Sequence, residues 1–281
     1  MGIFCRERVV LVLSPSEFVD SYAAIGARKT QTPALRLLLL GALAGLFIAL
    51  GGAVTNTAAH TIANVSAARI ICGFLFPFGL IMVILTGAEL FTGNCLISIS
   101  VLERKASPGG MLRSWGLVYL GNFGGALALA AACAFCGQLD YSGGALAVYT
   151  VKTAAAKCAL PCGNAVVLGV LCNILVCAGV MCSLCAKDVS GRAVGAFVPV
   201  CVFVLCGFEH CVVNMYYVPA GIFALSVPRY ARLTLEAGVD VSALTWGSFL
   251  LHNLLPVTLG NILGSAGLGA LLWACHGKRA S

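Results

Sequence analysis

Two stretches hold the ionisable groups that could do chemistry in this chain: Leu-Thr-Gly-Ala-Glu-Leu-Phe-Thr-Gly-Asn at 85–94 and Leu-Cys-Gly-Phe-Glu-His-Cys-Val-Val-Asn at 205–214. Both follow a Leu-x-Gly-x-Glu-x4-Asn pattern inside apolar runs. An acidic residue at a membrane-helix centre costs about 2.5–3.5 kcal/mol, so Glu89 and Glu209, the two carboxylates placed at membrane depth, imply a purpose. His210 is the one side chain at these sites that ordinarily titrates near neutrality, which makes it a candidate proton donor to the anion of a weak acid. The alternative for a membrane histidine is a satisfied interhelical hydrogen bond. Thr92 could donate its hydroxyl to a passing anion or bond a backbone carbonyl. The favoured reading of the glutamates is structural: carboxylates that accept loop N–H groups and, with Asn94 and Asn214, hold interruptions in shape.

The elements that position these groups follow from composition. With 60% apolar residues, 10% charged residues and a mean hydropathy of +1.00, the chain is an all-α integral membrane protein rather than a soluble domain. A span needs about 20 apolar residues, and six spans are predicted at about 35–59, 70–101, 112–136, 164–186, 194–226 and 247–275. One unbroken helix over the second would be about 48 Å long against a hydrocarbon core of about 30 Å. It must tilt or break, most easily at Gly87, Thr92 or Gly93. The fifth span is predicted to break between Gly207 and Asn214. Helix N-termini aimed at the midplane favour an anion, and Lys157, expected in an external loop, adds long-range attraction. Phe76, Leu80, Leu90, Phe91 and Phe203 are spaced to form apolar constrictions around His210, or to pack as ordinary core.

The two halves echo each other. Leu120-Gly121-Asn122 recurs as Leu259-Gly260-Asn261, and Leu40-Gly41-Ala42-Leu43 is loosely repeated at Leu168-Gly169-Val170-Leu171. Because three spans is an odd number, the second copy enters from the opposite side, giving a 3+3 inverted repeat with helices 2 and 5 interrupted. A single channel domain, 1–281, is expected. Its segment 14–27 opens Ser-Pro-Ser-Glu and spaces Phe18, Tyr22 and Ile25 as a short amphipathic helix, either an interfacial anchor or a lid.

The net charge of +7 is distributed as a membrane orientation signal and not as a nucleic-acid footprint. Twelve Lys and Arg lie at the termini and the 102–113 and 187–192 loops, against five in the opposite loops. Both termini are therefore expected in the cytoplasm of a multi-pass protein of the cell (inner or plasma) membrane. Arg6 and Arg8 precede only the short apolar run Val9 to Leu13, so no cleavable signal is expected. Most of the 15 cysteines lie in spans as small packers. Cys133/Cys136 and Cys182/Cys185 have no partners placed to complete a site, so neither metal nor cofactor is expected. An intramembrane enzyme built on Glu209 and His210 would need a nucleophile or metal beside them, and a cation pore would use the two glutamates. A transporter is preferred to both.

Together, Gly-Ala-Glu-Leu-Phe-Thr-Gly-Asn at 87–94, Gly-Phe-Glu-His-Cys-Val-Val-Asn-Met-Tyr at 207–216 and Pro256-Val-Thr-Leu-Gly-Asn261 resemble the formate/nitrite transporter family. The resemblance runs from the N-terminal helix to the sixth span. It implies a pentamer of aquaporin-like protomers, each with its own pore for a small monovalent anion of a weak acid: formate first, with hydrosulfide or nitrite as the alternative. It also implies that His210, Thr92, Lys157, Asn173 and Asn261 face the pore, with Phe76 and Phe203 constricting the cytoplasmic side and Leu80, Leu90 and Phe91 the other. Protons and the lipid bilayer are the remaining partners. Thr92-Gly93-Asn94-Cys95 departs from the Thr-Ser-Thr loop associated with formate channels and is nearer to hydrosulfide-linked members or to the broader unassigned group of the family.

Overall fold

The computed structural model describes residues 12–277, helical except for connecting turns and one antiparallel bridge between Val12 and Ala186. Arg6, Arg8, residues 9–11, Lys278 and Arg279, used above for signal and orientation, lie outside the described residues.

The first helix, α1 (Pro15–Gln31), opens with a capping box: the Glu17 N–H donates to the Ser14 hydroxyl at 3.3 Å, and the Ser14 N–H donates to the Glu17 carboxylate at 2.7 Å. These bonds hold the Glu17 carboxyl below its usual range. The apolar face of α1 packs on the protein itself, burying Phe18, Val19, Tyr22 and Ala23 in a cluster with Leu96, Ile99 and Cys177. Gly26 permits that approach, because a Cβ there would overlap the Ser100 hydroxyl.

Among the described residues, six helices are long and apolar enough to cross a membrane. The first is α2 (Ala34–Ala59). The second comprises α3 (Val65–Leu75) and α4 (Phe78–Thr86), joined at Phe76-Pro77. The chain then leaves helical geometry and resumes in the short α5 (Phe91–Asn94) and α6 (Ile97–Leu102). Next come α7 (Pro108–Phe135), α8 (Ala145–Cys158), α9 (Cys162–Cys185) and α10 (Val189–Cys206). After a second gap follow α11 (Cys211–Ser226) and α12 (Pro228–Glu236), bent by 100° from one another. The last span is α13 (Trp246–Ser248), a π turn over Phe249–Leu254, and α14 (Leu255–His276).

Both gaps begin the same way. Gly87 (φ 70°) caps α4 and Gly207 (φ 71°) caps α10, each in the left-handed region that a side chain disfavours. The repeated glycine strings also have matching uses. A Cβ on Gly41 would lie 2.9 Å from the Val118 carbonyl of α7, and one on Gly169 would lie 2.8 Å from the Val257 carbonyl of α14. Small residues thus bring α2 onto α7 and α9 onto α14 at backbone contact, where apolar side chains alone gain little over lipid.

The connection expected to be a loop around Lys157 is mostly α8. Leu146, Ala147, Thr150, Val151, Ala154, Ala155 and Cys158 are buried along one face of it. This helical spacing is diluted by the intervening Tyr149, Lys152 and Thr153, so the stretch reads as mixed composition.

Candidate functional site

Each gap is held by an asparagine from a neighbouring span. In the first, the Phe91 N–H donates to the Asn122 Oδ1 at 2.9 Å, while the Asn122 Nδ2 donates to the carbonyls of Gly41 at 2.8 Å and Glu89 at 2.9 Å. In the second, the Cys211 N–H donates to the Asn261 Oδ1 at 2.9 Å, and the Asn261 Nδ2 donates to the carbonyls of Gly169 at 2.8 Å and Glu209 at 3.0 Å. Backbone groups freed by a break at membrane depth need such partners.

The glutamates are anchored in parallel fashion. The Asn94 amide donates to the Glu89 carboxylate at 2.7 Å and Lys29 of α1 donates to it at 2.6 Å. The Asn214 amide donates to Glu209 at 2.7 Å, and Lys157 of α8 donates to its two oxygens at 2.8 and 3.0 Å. The carboxylates therefore accept from lysine ammonium and asparagine amide groups, not from the loop N–H groups expected of them. The loop N–H groups of Phe91 and Cys211 are already taken by Asn122 and Asn261. Two further groups brace the arrangement: the Trp115 indole N–H donates to the Asn94 carbonyl at 2.9 Å, and Asn253 links the Asn214 amide to the Lys157 carbonyl, each at 2.9 Å. Lys29, Trp115 and Asn253 escape a reading of the sequence. Asn122 sits in the repeated Leu-Gly-Asn string, and its pairing with Asn261 was the available signal.

His210 is the N-cap of α11. Its Nδ1 accepts from the Val213 N–H at 3.2 Å, so the proton of the neutral ring sits on Nε2. That Nε2 lies 3.0 Å from the Thr92 hydroxyl oxygen. With the imidazole N–H donating to it, the Thr92 oxygen keeps its own hydrogen free to donate elsewhere. The Phe203 ring stacks on the imidazole with centroids 6.0 Å apart and planes 19° from parallel. Asn173 and Asn261 are fully buried. The Asn173 Nδ2 donates to the Thr92 carbonyl at 3.2 Å and the Asn261 carbonyl at 2.6 Å, so both amides are bonded to backbone behind the centre.

The apolar residues group by end of the molecule: Phe76 and Phe203, expected on the same side as α1, lie with Lys157 of α8, and Leu90 and Phe91 lie toward α1. Phe76 and Phe203 meet edge to face at 5.5 Å, and both line a cavity of about 690 Å³ shared with Thr55, Arg69, Lys157 and Tyr217. They thus face the α8 end of the molecule. Leu90 and Phe91 adjoin Glu89, the partner of Lys29, on the α1 side, where Phe91 packs on Tyr119 at 4.8 Å. Leu80, on α4, is buried against α9 at Gly179. Residue order along a chain carries no information on which mouth a segment faces; the second span runs through Phe76-Pro77 as one helix and leaves helical geometry at the Gly87 cap. Among the described residues no three His, Cys, Asp or Glu side chains are gathered for a metal.

The sequence profile of the formate/nitrite transporter family matches residues 16–275, spanning both gaps and the central imidazole. The chain belongs to that family. The protein is 35% identical to the formate channel FocA of Haemophilus influenzae over 263 residues, covering 91% of this chain and 92% of that one. It is 33% identical to a probable formate transporter of Methanothermobacter thermautotrophicus over 280 residues, covering 93% and 94%. A solved pentameric formate channel with formate bound superposes with a TM-score of 0.76 at 31% identity, over 87% of this chain and 98% of that channel. This member of the family is accordingly a multi-pass, all-helical membrane protein with a channel-like fold.

Proposed function

We propose that the chain is a channel for small monovalent weak-acid anions, formate foremost, and a transporter rather than an enzyme. One observation carries the reading. Glu89 and Glu209 are each paired with a lysine at 2.6 and 2.8 Å, so the groups left at the centre are donors, the Thr92 hydroxyl and the His210 N–H. Donors suit an anion, and the pairing argues against a cation pore based on those glutamates. The relatives named formate channels or transporters support formate over hydrosulfide, despite the Thr92-Gly93-Asn94-Cys95 loop.

The matched hydrogen-bond sets of the two gaps support an inverted 3+3 repeat within a single channel domain, and the solved relative supports a homopentamer. Lys and Arg asymmetry supports cytoplasmic termini. In this reading an anion passes the Phe76–Phe203 pair, meets Thr92 and His210, and leaves past Leu90 and Phe91. Asn173, Asn261, Asn94 and Asn214 hold the walls. The Nε2 proton is the one that meets the anion, and taking a second proton at Nδ1 requires release of the Val213 N–H.

Uptake of formate, nitrite, hydrosulfide and lactate by one reconstituted preparation at two pH values tests the reading. Formate is expected to be fastest, and the absence of formate flux would remove the proposal. His210→Asn retains a side chain suited to capping a helix but cannot titrate. It should assemble normally and flatten the pH dependence of flux, whereas an unchanged profile across pH 5–8 would exclude the imidazole as proton donor. Thr92→Val, similar in shape, should lower flux by about tenfold if the hydroxyl meets the ion, in line with roughly 1.5–3 kcal/mol for a hydrogen bond to a charged group. An unaffected rate would leave Thr92 as a loop residue.

A further inference from the structure

The cavity at the α8 end is lined by three cations with different surroundings, Arg69, Lys152 and Lys157, of which Lys152 is exposed and also lines a second cavity beside Ala237 to Asp240. Lys157 is already committed: its ammonium bonds both Glu209 oxygens and lies 5.5 Å from the centre of the Tyr217 ring. Arg69, near the start of α3, is exposed, lines the same cavity, and makes no hydrogen bond or ion pair with any described residue. Its guanidinium reaches the cavity floor over Gly207. A Cβ on Gly207 would lie 2.7 Å from one terminal nitrogen and 3.2 Å from the other, so the glycine that caps α10 also makes room for the cation.

The C-terminal end of α10 attracts a positive charge and accounts for the placement, but it cancels only about half an elementary charge. The turn is closed without Arg69, since the N–H groups of Gly207 and Phe208 donate to the Val204 and Phe203 carbonyls at 3.1 and 3.0 Å. The guanidinium fork therefore keeps its donors and most of its charge. It faces a water-accessible space that narrows at Phe76 and Phe203.

Resting on the channel reading above, we propose that Arg69 is a binding site for the incoming small carboxylate, held through two parallel N–H···O bonds before it enters the Phe76–Phe203 pair. A planar fork matches a carboxylate in a way that an ammonium cannot. Arg69, rather than the neutralised Lys157 or the forkless ammonium of Lys152, sets the affinity of this mouth for the ion.

The test uses the reconstituted full-length protein in sided vesicles, with formate supplied on the α8 side. Arg69→Gln is expected to raise the half-saturating formate concentration about fivefold or more, a larger factor than the fall in limiting flux. Arg69→Lys, which keeps the charge and loses the fork, is expected to recover less than half of that affinity. An unchanged half-saturation in Arg69→Gln would overturn the site, and full recovery in Arg69→Lys would overturn the bidentate assignment. Should the variants fail to assemble, phenylglyoxal labelling of the unmodified protein decides the matter by peptide mass spectrometry. Formate should slow modification of Arg69 about threefold or more relative to Arg229, and equal slowing at the two arginines would overturn the proposal. Flux through the unmodified protein with no effect at Arg69 removes only this site, whereas no formate flux at all removes the channel reading.

Discussion

Lys157→Met is expected to destabilise the protein by about 3–5 kcal/mol and to abolish most formate flux, because it strands the Glu209 carboxylate at depth without its cation. The ammonium lies 2.8 Å from that carboxylate, and the two side chains are only 16% and 9% exposed. Truncating one partner of such a pair is far more damaging than replacing both with neutral groups. The Lys157→Met/Glu209→Gln double variant should therefore recover at least half of the lost thermal stability, since the Asn214 amide can still donate to the glutamine oxygen. Thermal unfolding in detergent and formate uptake in vesicles check the pair of outcomes. Stability and flux unaffected by the single change would show that the pair does not anchor the gap. Flux lost equally in the single and double variants, with stability restored, would return Lys157 to the role of an attracting charge.

Asn122→Leu should have an effect of comparable size for a different reason. It removes one side chain that serves three backbone groups, the Phe91 N–H and the carbonyls of Gly41 and Glu89. Each buried group left without a partner costs about 1–3 kcal/mol, and water is a poor substitute because Asn122 is fully buried. A loss of roughly 3 kcal/mol or more corresponds to a fall of about 10 °C in the unfolding midpoint for a chain of this size. Asn122→Asp is the informative control, because it keeps the acceptor for the Phe91 N–H and loses both donations. A midpoint within a degree or two of the parent for Asn122→Leu would mean that the carboxamide does not hold the gap.

The class and the run of spans are legible in the sequence because the hydrocarbon core leaves the chain little choice. The apolar stretches read as spans at about 35–59 and 164–186 overlap the long helices α2 and α9. The glycines at the gaps are legible for the same kind of reason, since Gly87 and Gly207 take a backbone conformation that few residues tolerate. What stays hidden is whatever depends on long-range pairing. Lys29 is 60 residues from Glu89 and Lys157 is 52 from Glu209, and no local pattern connects either pair. Helix α8 is obscured because its buried face mixes Leu146 and Val151 with the smaller Ala147, Thr150, Ala154, Ala155 and Cys158, which give a weak periodic signal. The grouping of the constrictions stays hidden because it is set by which neighbours the rings meet, Phe203 of α10 for Phe76 and Tyr119 of α7 for Phe91, not by order. Arg69 stands out only in three dimensions, where its guanidinium lies over Gly207 and Lys157 of the same cavity is seen to be neutralised.

The π turn over Phe249–Leu254 has a consequence for any attempt to treat the halves as interchangeable. A π turn holds one residue more than an α turn, and one residue is worth about 100° of rotation around a helix axis. The corresponding stretch of α7 is regular α-helix from Pro108 onward. The second half therefore contains a one-residue spacer that the first lacks, and it is this spacer that swings Asn253 between Asn214 and Lys157. A symmetric pore built by splicing two copies of one half would either duplicate that offset or lose it, and its two entrances could not both be copies of those found here.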